Sequence, residues 1–179
     1  MKLTKEGLKS AEWKSKGYSL PDFDFDNVQK NTFENPFWIH FGAGNIFRAF
    51  QANVVQNLLN EGVIDSGLIV AEGYDYEIIE KMYRPHDNVG ALVTLKGNGS
   101  VEKTVVASIM EALTADSENQ KDWERLLEIF RKPSLQMVSF TITEKGYLLK
   151  KANGEFMPGV EDDFANGPVL PKSYIGKVV

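Results

Sequence analysis

The sequence predicts an α/β domain: a parallel sheet flanked by helices and interrupted by one antiparallel β-hairpin. Three observations predict it. Apolar runs at residues 37–41, 68–72 and 135–142 have strand length and alternate with helical patterns, the order that builds parallel sheets through crossover helices. Two β-rich runs, VGALVTL and VEKTVVASIMEAL, flank the turn KGNGS, which is the signature of a hairpin. A chain of 179 residues with 42% hydrophobic and 25% charged residues has the composition and length for one good-sized core.

Taken in order, residues 1–35 are polar, broken by Pro21 and rich in aspartate at PDFDFDN. They read as an arm laid over the domain, with Phe23 and Phe25 as anchors. FWIHF, 37–41, reads as a buried strand, and IFRAFQANVVQNLLNEG as an amphipathic helix with Ile46, Phe50, Val54 and Leu58 on its apolar face. Gly62 stands where a C-terminal cap belongs. LIVAE, 68–72, is a second strand, and DYEIIEKMY a short helix ended by Pro85. After the hairpin, Asp116 or Ser117 caps a helix through Trp123, Leu126, Leu127 and Phe130, read as core, which Pro133 closes. LQMVSFTI, 135–142, is another buried strand. Residues 154–173 have linker-like density of Gly, Pro and acids, and Ser173 opens a helix with apolar residues at 174, 175, 178 and 179. The expected organisation is an arm at 1–35, the main domain at 36–153, and at 154–179 a linker with the start of a truncated following segment.

Several classes of chemistry are excluded. There are no cysteines, so disulfides, thiolate metal sites and cysteine nucleophiles are absent. His40 and His86 are separated and make no metal pattern; the first reads as a packed core histidine, the second as a loop residue. A net charge of −5 and a pI near 5.1 argue against a nucleic-acid surface, which needs clustered Lys and Arg. No stretch approaches the roughly 20 apolar residues of a membrane span, and the lysine-bearing start lacks a signal-peptide core. The expectation is a cytoplasmic protein that uses no metal.

The chemistry-bearing stretch is FWIHFGAGNIFRAF. An apolar strand stops at Gly42 and Gly44 and passes at once into a helix. A phosphate at such a turn needs glycine where the chain bends, glycine where backbone approaches the ligand, and free N–H groups at the helix start. Gly42, Ala43, Gly44, Asn45, Ile46 and Phe47 are therefore candidate dinucleotide-binding residues of a Rossmann-like sheet, with Phe47 where the third glycine of G-x-G-x-x-G would stand. Arg48, one turn into the helix, is a candidate phosphate partner. Glu72 or Asp75, after the second strand, is a candidate ribose acceptor that favours NAD over NADP, although a spacing of about thirty residues exceeds the usual twenty. A simple glycine corner and a solvated acid are the plain alternatives. Thr143, Glu144 and Lys145, past the strand 135–142, supply a further loop at the carboxyl edge, where ligands sit.

GAGNIFRAF, IVAEGYD and above all SFTITEKGY resemble the N-terminal half of the long-chain mannitol dehydrogenase family, over residues 37–179. The family shows a T-x-T-E-x-G-Y run after the strand that backs the nicotinamide. GNIFRAF is closer to the G-N-F-L-R-A-F of its hexuronate branch than to the G-x-G-x-F-H-R-A-H of polyol-oxidising members. The resemblance implies NAD-dependent, metal-free hydride transfer between a hexuronate and an aldonate, fructuronate/mannonate or tagaturonate/altronate, with Thr143–Lys145 on the nicotinamide side. A polyol oxidation of the mannitol type is the alternative within the family. The general acid–base implied is a lysine of a K-x-x-x-x-N-x-x-H motif in a second, helical domain, and this sequence contains no such motif. No catalytic residue is therefore assigned to this chain, and the sugar acid or polyol is expected to be held through that second domain. A methyltransferase-type domain binding S-adenosylmethionine shares the glycine turn and following acid, and a non-enzymatic NAD-sensing module shares them too.

Overall fold

The computed structural model describes the backbone of residues 1–179 and every side chain except those of Glu144 and Lys145. The N-terminal region forms a short helix α1 (Glu12–Ser15), strand β1 (Tyr18–Ser19) and helix α2 (Phe25–Glu34). Asp24 starts α2 by accepting a hydrogen bond from the Asn27 N–H, the usual function of an aspartate N-cap. Strand β2 (Trp38–Phe41) leads through the glycine turn into α3 (Asn45–Ala49) and α4 (Gln51–Asn60). Gly62, at φ +67, ends α4 in the left-handed region where glycine has no Cβ penalty.

β3 (Leu68–Glu72) is followed by a short α5 (Tyr76–Ile78) that continues as a π turn, Ile79–Tyr83. β4 (Gly90–Leu95) and β5 (Val101–Val106) form the antiparallel hairpin. The chain then breaks at Ala107–Ser108, and β6 (Ile109–Thr114) leaves the hairpin for the main sheet. The single long strand expected over VEKTVVASIMEAL is thus two strands in two sheets. α6 (Gln120–Arg131), β7 (Met137–Phe140), α7 (Val160–Asn166) and α8 (Tyr174–Val178) complete the chain.

The main sheet has the order β6-β3-β2-β7, and all its pairings are parallel. Alternation along each strand divides its side chains between two cores. Leu68 and Val70 face a cluster with Phe47, Val55 and Leu59. Ile39, Phe41, Ile69 and Ala71 face the other side, against Leu126 and Ile129 of α6. The hairpin forms a second sheet, β1-β5-β4, where the N-terminal Trp13 is buried with Val89, Val105 and Ala107. Phe23 and Phe25 pack against both this cluster and the larger one.

Two helix faces differ from those expected. Ile46, Phe50 and Val54 are 70%, 65% and 42% exposed, while Phe47, Ala52 and Val55 are fully buried. A strict period of four drifts by roughly 40° per step from the helix's own period, and the helix also breaks at Phe50, between α3 and α4. In α6 the inward face is Asp122, Arg125, Leu126 and Ile129, leaving Leu127 and Phe130 exposed and Trp123 partly buried. The cause is polar. Asp122 accepts hydrogen bonds from the Thr114 N–H at 2.8 Å, the Thr114 hydroxyl at 2.9 Å and Arg84 at 2.7 Å. Arg125 forms a fork on Glu111 at 2.8 and 2.6 Å and donates to the Phe33 carbonyl at 2.9 Å. These contacts set the rotation of α6, and Asn119, rather than Asp116 or Ser117, caps it. β7, expected to be buried, is an edge strand with Met137, Val138 and Phe140 exposed.

Among the described residues no helix is long and apolar enough to cross a membrane, and no cluster of His, Asp and Glu is arranged to hold a metal. His40 is the packed core histidine expected: it is fully buried, bonded to the Ser139 and Thr141 hydroxyls at 2.7 and 3.0 Å, and stacked on Phe47 at 4.3 Å. Burial pushes its pKa down to about 4, so the native state holds it neutral where the unfolded chain protonates it. Stability is therefore lost as pH falls from 6.5 towards 4. Unfolding titrations should show that His40→Gln removes about 2–3 kcal/mol of that pH-dependent loss; an unchanged slope would exclude His40 as its source.

Candidate functional site

The strand order changes direction at β2, since the chain adds β3 and β6 on one side and β7 on the other. In doubly wound sheets the carboxyl ends of the strands part at this point and leave a crevice. A cleft of ≈ 320 Å³ lies there, lined by Gly42, Gly44, Asn45 and Ile46 of the turn, Glu72 and Tyr74 after β3, Thr141, Ile142, Thr143 and Gly146 after β7, and Tyr174. The glycine turn, the acid after the second strand and the threonine loop are thus brought together, although they lie far apart in sequence.

The two glycines differ in function. Gly42 has φ +115, and a Cβ there would lie 2.5 Å from Thr141 Oγ1 and 2.7 Å from the Thr141 carbonyl oxygen. Both its conformation and its contact with the end of β7 require glycine. Gly44 has φ −74, open to any residue, and a Cβ there would meet nothing within 4 Å. Its missing side chain leaves free space on the cleft side. Beyond it, the N–H groups of Gly44, Asn45, Ile46 and Phe47 have no acceptor among the described residues. Phe47, in the place of a third glycine, is fully buried and packs its ring on His40 instead of allowing close backbone approach.

Ala43 is held from both sides. Its N–H donates to Glu72 Oε2 at 2.8 Å, and its carbonyl accepts from the Tyr83 hydroxyl at 2.7 Å. The other Glu72 oxygen accepts from the N–H groups of Tyr74 and Asp75 at 2.9 and 3.3 Å. Glu72, 9% exposed, therefore ties the glycine turn to the loop after β3, and its two oxygens already hold backbone. Asp75 is exposed and its carboxylate has no partner among the described residues. The Arg48 side chain does not line the cleft. It reaches Asn45, lies over the Tyr83 ring at 5.8 Å, and borders a separate cavity of ≈ 230 Å³ under the hairpin. Thr143 is exposed in the cleft wall, whereas the assignments to the side chains of Glu144 and Lys145 lie outside the described residues.

Sequence reasoning missed Tyr83, Thr141 and Tyr174. Thr141 carries a local signal, since it opens the T-x-T-E-x-G-Y run. Nothing in the local pattern marks Tyr83, which reaches the turn, or Tyr174, which reaches the loop after β3, because each arrives from a distant segment. A second cleft of ≈ 390 Å³ adjoins the first and shares Tyr74, Gly146 and Tyr174; Tyr76, Lys172 and Lys177 form its polar side. Lys177 donates to the Tyr76 hydroxyl at 2.6 Å. Burial lowers the Lys177 pKa, and burial, with Asp116 and Glu72 nearby, pushes Tyr76 up to about 12.

No protein-family profile matches the chain. It is 52% identical over 179 residues to a D-mannonate oxidoreductase of Thermotoga maritima, covering 99% of this chain and 33% of that protein. It is 32% identical to the D-mannonate oxidoreductase of Escherichia coli, over 79% of this chain and 29% of the relative. Among solved structures it superimposes on Pseudomonas fluorescens mannitol 2-dehydrogenase in a ternary complex with NAD and D-mannitol, with a TM-score of 0.76 and 26% identity, over 99% of this chain and 34% of that one. The chain thus spans about a third of the length of these relatives.

Because Glu72 is the acceptor for three backbone N–H groups, Glu72→Ala should cost about 2–4 kcal/mol, the penalty of leaving buried donors unpaired. Asp75→Ala should stay within roughly 0.5 kcal/mol of the parent. Denaturant unfolding of both variants measures the difference, and equal stabilities would refute the bracing arrangement.

Proposed function

Because this chain belongs to the long-chain mannitol dehydrogenase family, we propose that it is the NAD-binding part of an oxidoreductase acting on a CH–OH group. The observation that carries this is the cleft at the strand-order reversal, where a glycine turn leaves free N–H groups and open space beside Gly44. These features fit a dinucleotide pyrophosphate, which needs backbone donors and no side chain in its path. NAD supplies a hydride-accepting nicotinamide ring. The chain's own residues bind and orient it: the N–H groups of Gly44, Asn45 and Ile46 hold phosphate oxygens, the free carboxylate of Asp75 accepts from ribose hydroxyls, and Thr143 faces the nicotinamide side. Glu72 contributes by holding the turn rather than by offering an unoccupied oxygen.

The substrate pair proposed is a hexuronate and its aldonate, fructuronate/mannonate first and tagaturonate/altronate second, supported by the identity to two D-mannonate oxidoreductases. Oxidation of a polyol is the second possibility, supported by the fold likeness to a mannitol-bound enzyme. The proton that accompanies the hydride needs an acid–base group at the alkoxide oxygen, and the 179 residues contain no K-x-x-x-x-N-x-x-H run. We assign that group to a second domain of the longer protein. The exposed apolar residues Met137, Val138 and Phe140 of edge strand β7 support packing of that further chain here. The main domain is placed at 36–153, preceded by the arm at 1–35 and followed by the connecting segment 154–179, and a cytoplasmic location accords with this function.

Two measurements test the proposal. The 179-residue chain should bind NADH in a calorimetric or fluorescence titration yet reduce neither fructuronate, tagaturonate nor fructose; turnover by the pure chain would overturn the two-domain division. Gly44→Val places a branched side chain where the phosphates lie. It should weaken NADH binding by more than tenfold, a loss of about 1.4 kcal/mol or more, with the melting temperature nearly unchanged, because φ −74 and open space accept a side chain. Parent-like binding by that variant would remove the phosphate from the turn.

A further inference from the structure

The segment after α7 is fastened across the carboxyl edge of the sheet. Asp163 accepts from the N–H groups of Lys172 and Ser173 at 2.6 and 3.0 Å, and Ser173 caps α8 through the Gly176 N–H at 3.0 Å. The Ser117 hydroxyl donates to the Pro171 carbonyl at 2.9 Å, Lys172 pairs with Glu118, and Lys177 donates to Tyr76. These ties reach the loops after both β6 and β3, and they deliver Tyr174 onto Gly73, the residue that follows β3. A Cβ on Gly73 would lie 2.5 Å from Tyr174 Cε2, so glycine there makes room for the ring. Tyr174 also stacks on Tyr74, with ring centroids 4.9 Å apart and planes 13° from parallel.

Tyr174 is 6% exposed, and its hydroxyl is sealed from water without a hydrogen-bond partner among the described residues. Buried polar groups are nearly always paired, and a donor that water does not reach is satisfied only by a group brought to it. The residue forms a wall shared by the cleft at the glycine turn and by its neighbour beside Lys172 and Lys177. Burial, reinforced by the nearby Glu72 carboxylate, raises its pKa, so the phenol stays protonated and acts as a donor. In a doubly wound sheet the adenosine half of a dinucleotide lies beyond the second strand and the nicotinamide half on the opposite side of the turn. Gly73 and Tyr174 lie at the end of that second strand, β3.

We propose that Tyr174 is a cofactor-binding residue whose hydroxyl donates a hydrogen bond to a ribose or phosphate oxygen of the ADP half of the dinucleotide. This rests on the NAD-binding function proposed above and adds to it a residue that arrives from about a hundred positions beyond the second strand.

Calorimetric titration of the 179-residue chain with NADH and with ADP-ribose, for the parent and Tyr174→Phe, tests it. The ring and its stack remain in the variant, so its melting temperature should match or exceed the parent's, while affinity for both ligands falls roughly five- to tenfold, the loss expected for one hydrogen bond. Gly73→Ala, which displaces the ring from β3, should weaken both ligands likewise. Unchanged affinity in Tyr174→Phe would make the hydroxyl merely structural and overturn the proposal. A loss for NADH without a loss for ADP-ribose would place the hydroxyl at the nicotinamide half and overturn it too. A parent chain that binds neither ligand would overturn the NAD-binding function itself, which keeps the two failures distinct.

Discussion

The buried carboxylate of Glu72 is the contact on which the arrangement of the cleft depends. β2 and β3 are adjacent and parallel, so their two loops emerge side by side at one edge, and each has backbone donors without a sheet partner. One carboxylate satisfies both, taking the Ala43 N–H on one oxygen and those of Tyr74 and Asp75 on the other. No cation pairs with it among the described residues, and the three backbone N–H dipoles help offset the cost of burying its charge. With the Ala43 N–H engaged by Glu72, the N–H groups that follow it have no acceptor among the described residues. The turn is thus held by the chain's own contacts, which is the preorganisation that the proposed phosphate site requires.

The remaining contacts at the turn act in the same direction. The Tyr83 hydroxyl takes the Ala43 carbonyl, Thr141 closes on Gly42 from the end of β7, and Phe47 and His40 stack beneath. Each comes from a different element, so the turn's shape reports the packing of the whole sheet. The helix layers are set similarly, by polar as well as apolar contacts. The Glu111–Arg125 fork joins β6 to α6 and, through the Phe33 carbonyl, to the N-terminal region. Removing one partner of such a buried pair costs more than the pair contributes by itself, so this network specifies the position of α6.

The surface is less resolved than the core in its apolar pattern. Ile46, Phe50 and Val54 on the α3–α4 side, and Phe130, Val138 and Phe140 near β7, all show large exposed apolar side chains. Isolated apolar residues on a surface are ordinary, but a parallel edge strand exposed on its sides departs from the usual covering of such sheets. The relatives are about three times as long as this chain. More polypeptide in them is available to cover such surfaces.

By itself the sequence determined the alternation of β2, β3 and β7 with helices, the hairpin, the glycine corner after β2, the cap at Gly62 and the helix start at Ser173, because strand length, turn chemistry and capping are local properties of a few neighbouring residues; it did not show α1, β1 and α2 within 1–35 or the division of VEKTVVASIMEAL into β5 and β6. It also carried the family motifs in GAGNIFRAF and TITEKGY. It did not determine which helix faces turn inward. In α6 the decision belongs to Asp122 and Arg125, charged residues that an apolar count places outside and that Thr114, Arg84 and Glu111 hold inside. Nor did it separate Glu72 from Asp75, two acids three positions apart with the same chemistry. Only the tertiary structure put the first beneath the turn and left the second in solvent, and only it brought Tyr174 onto Gly73. Those outcomes depend on which backbone donors converge at the sheet edge, and convergence is a property of the packed chain rather than of any segment within it.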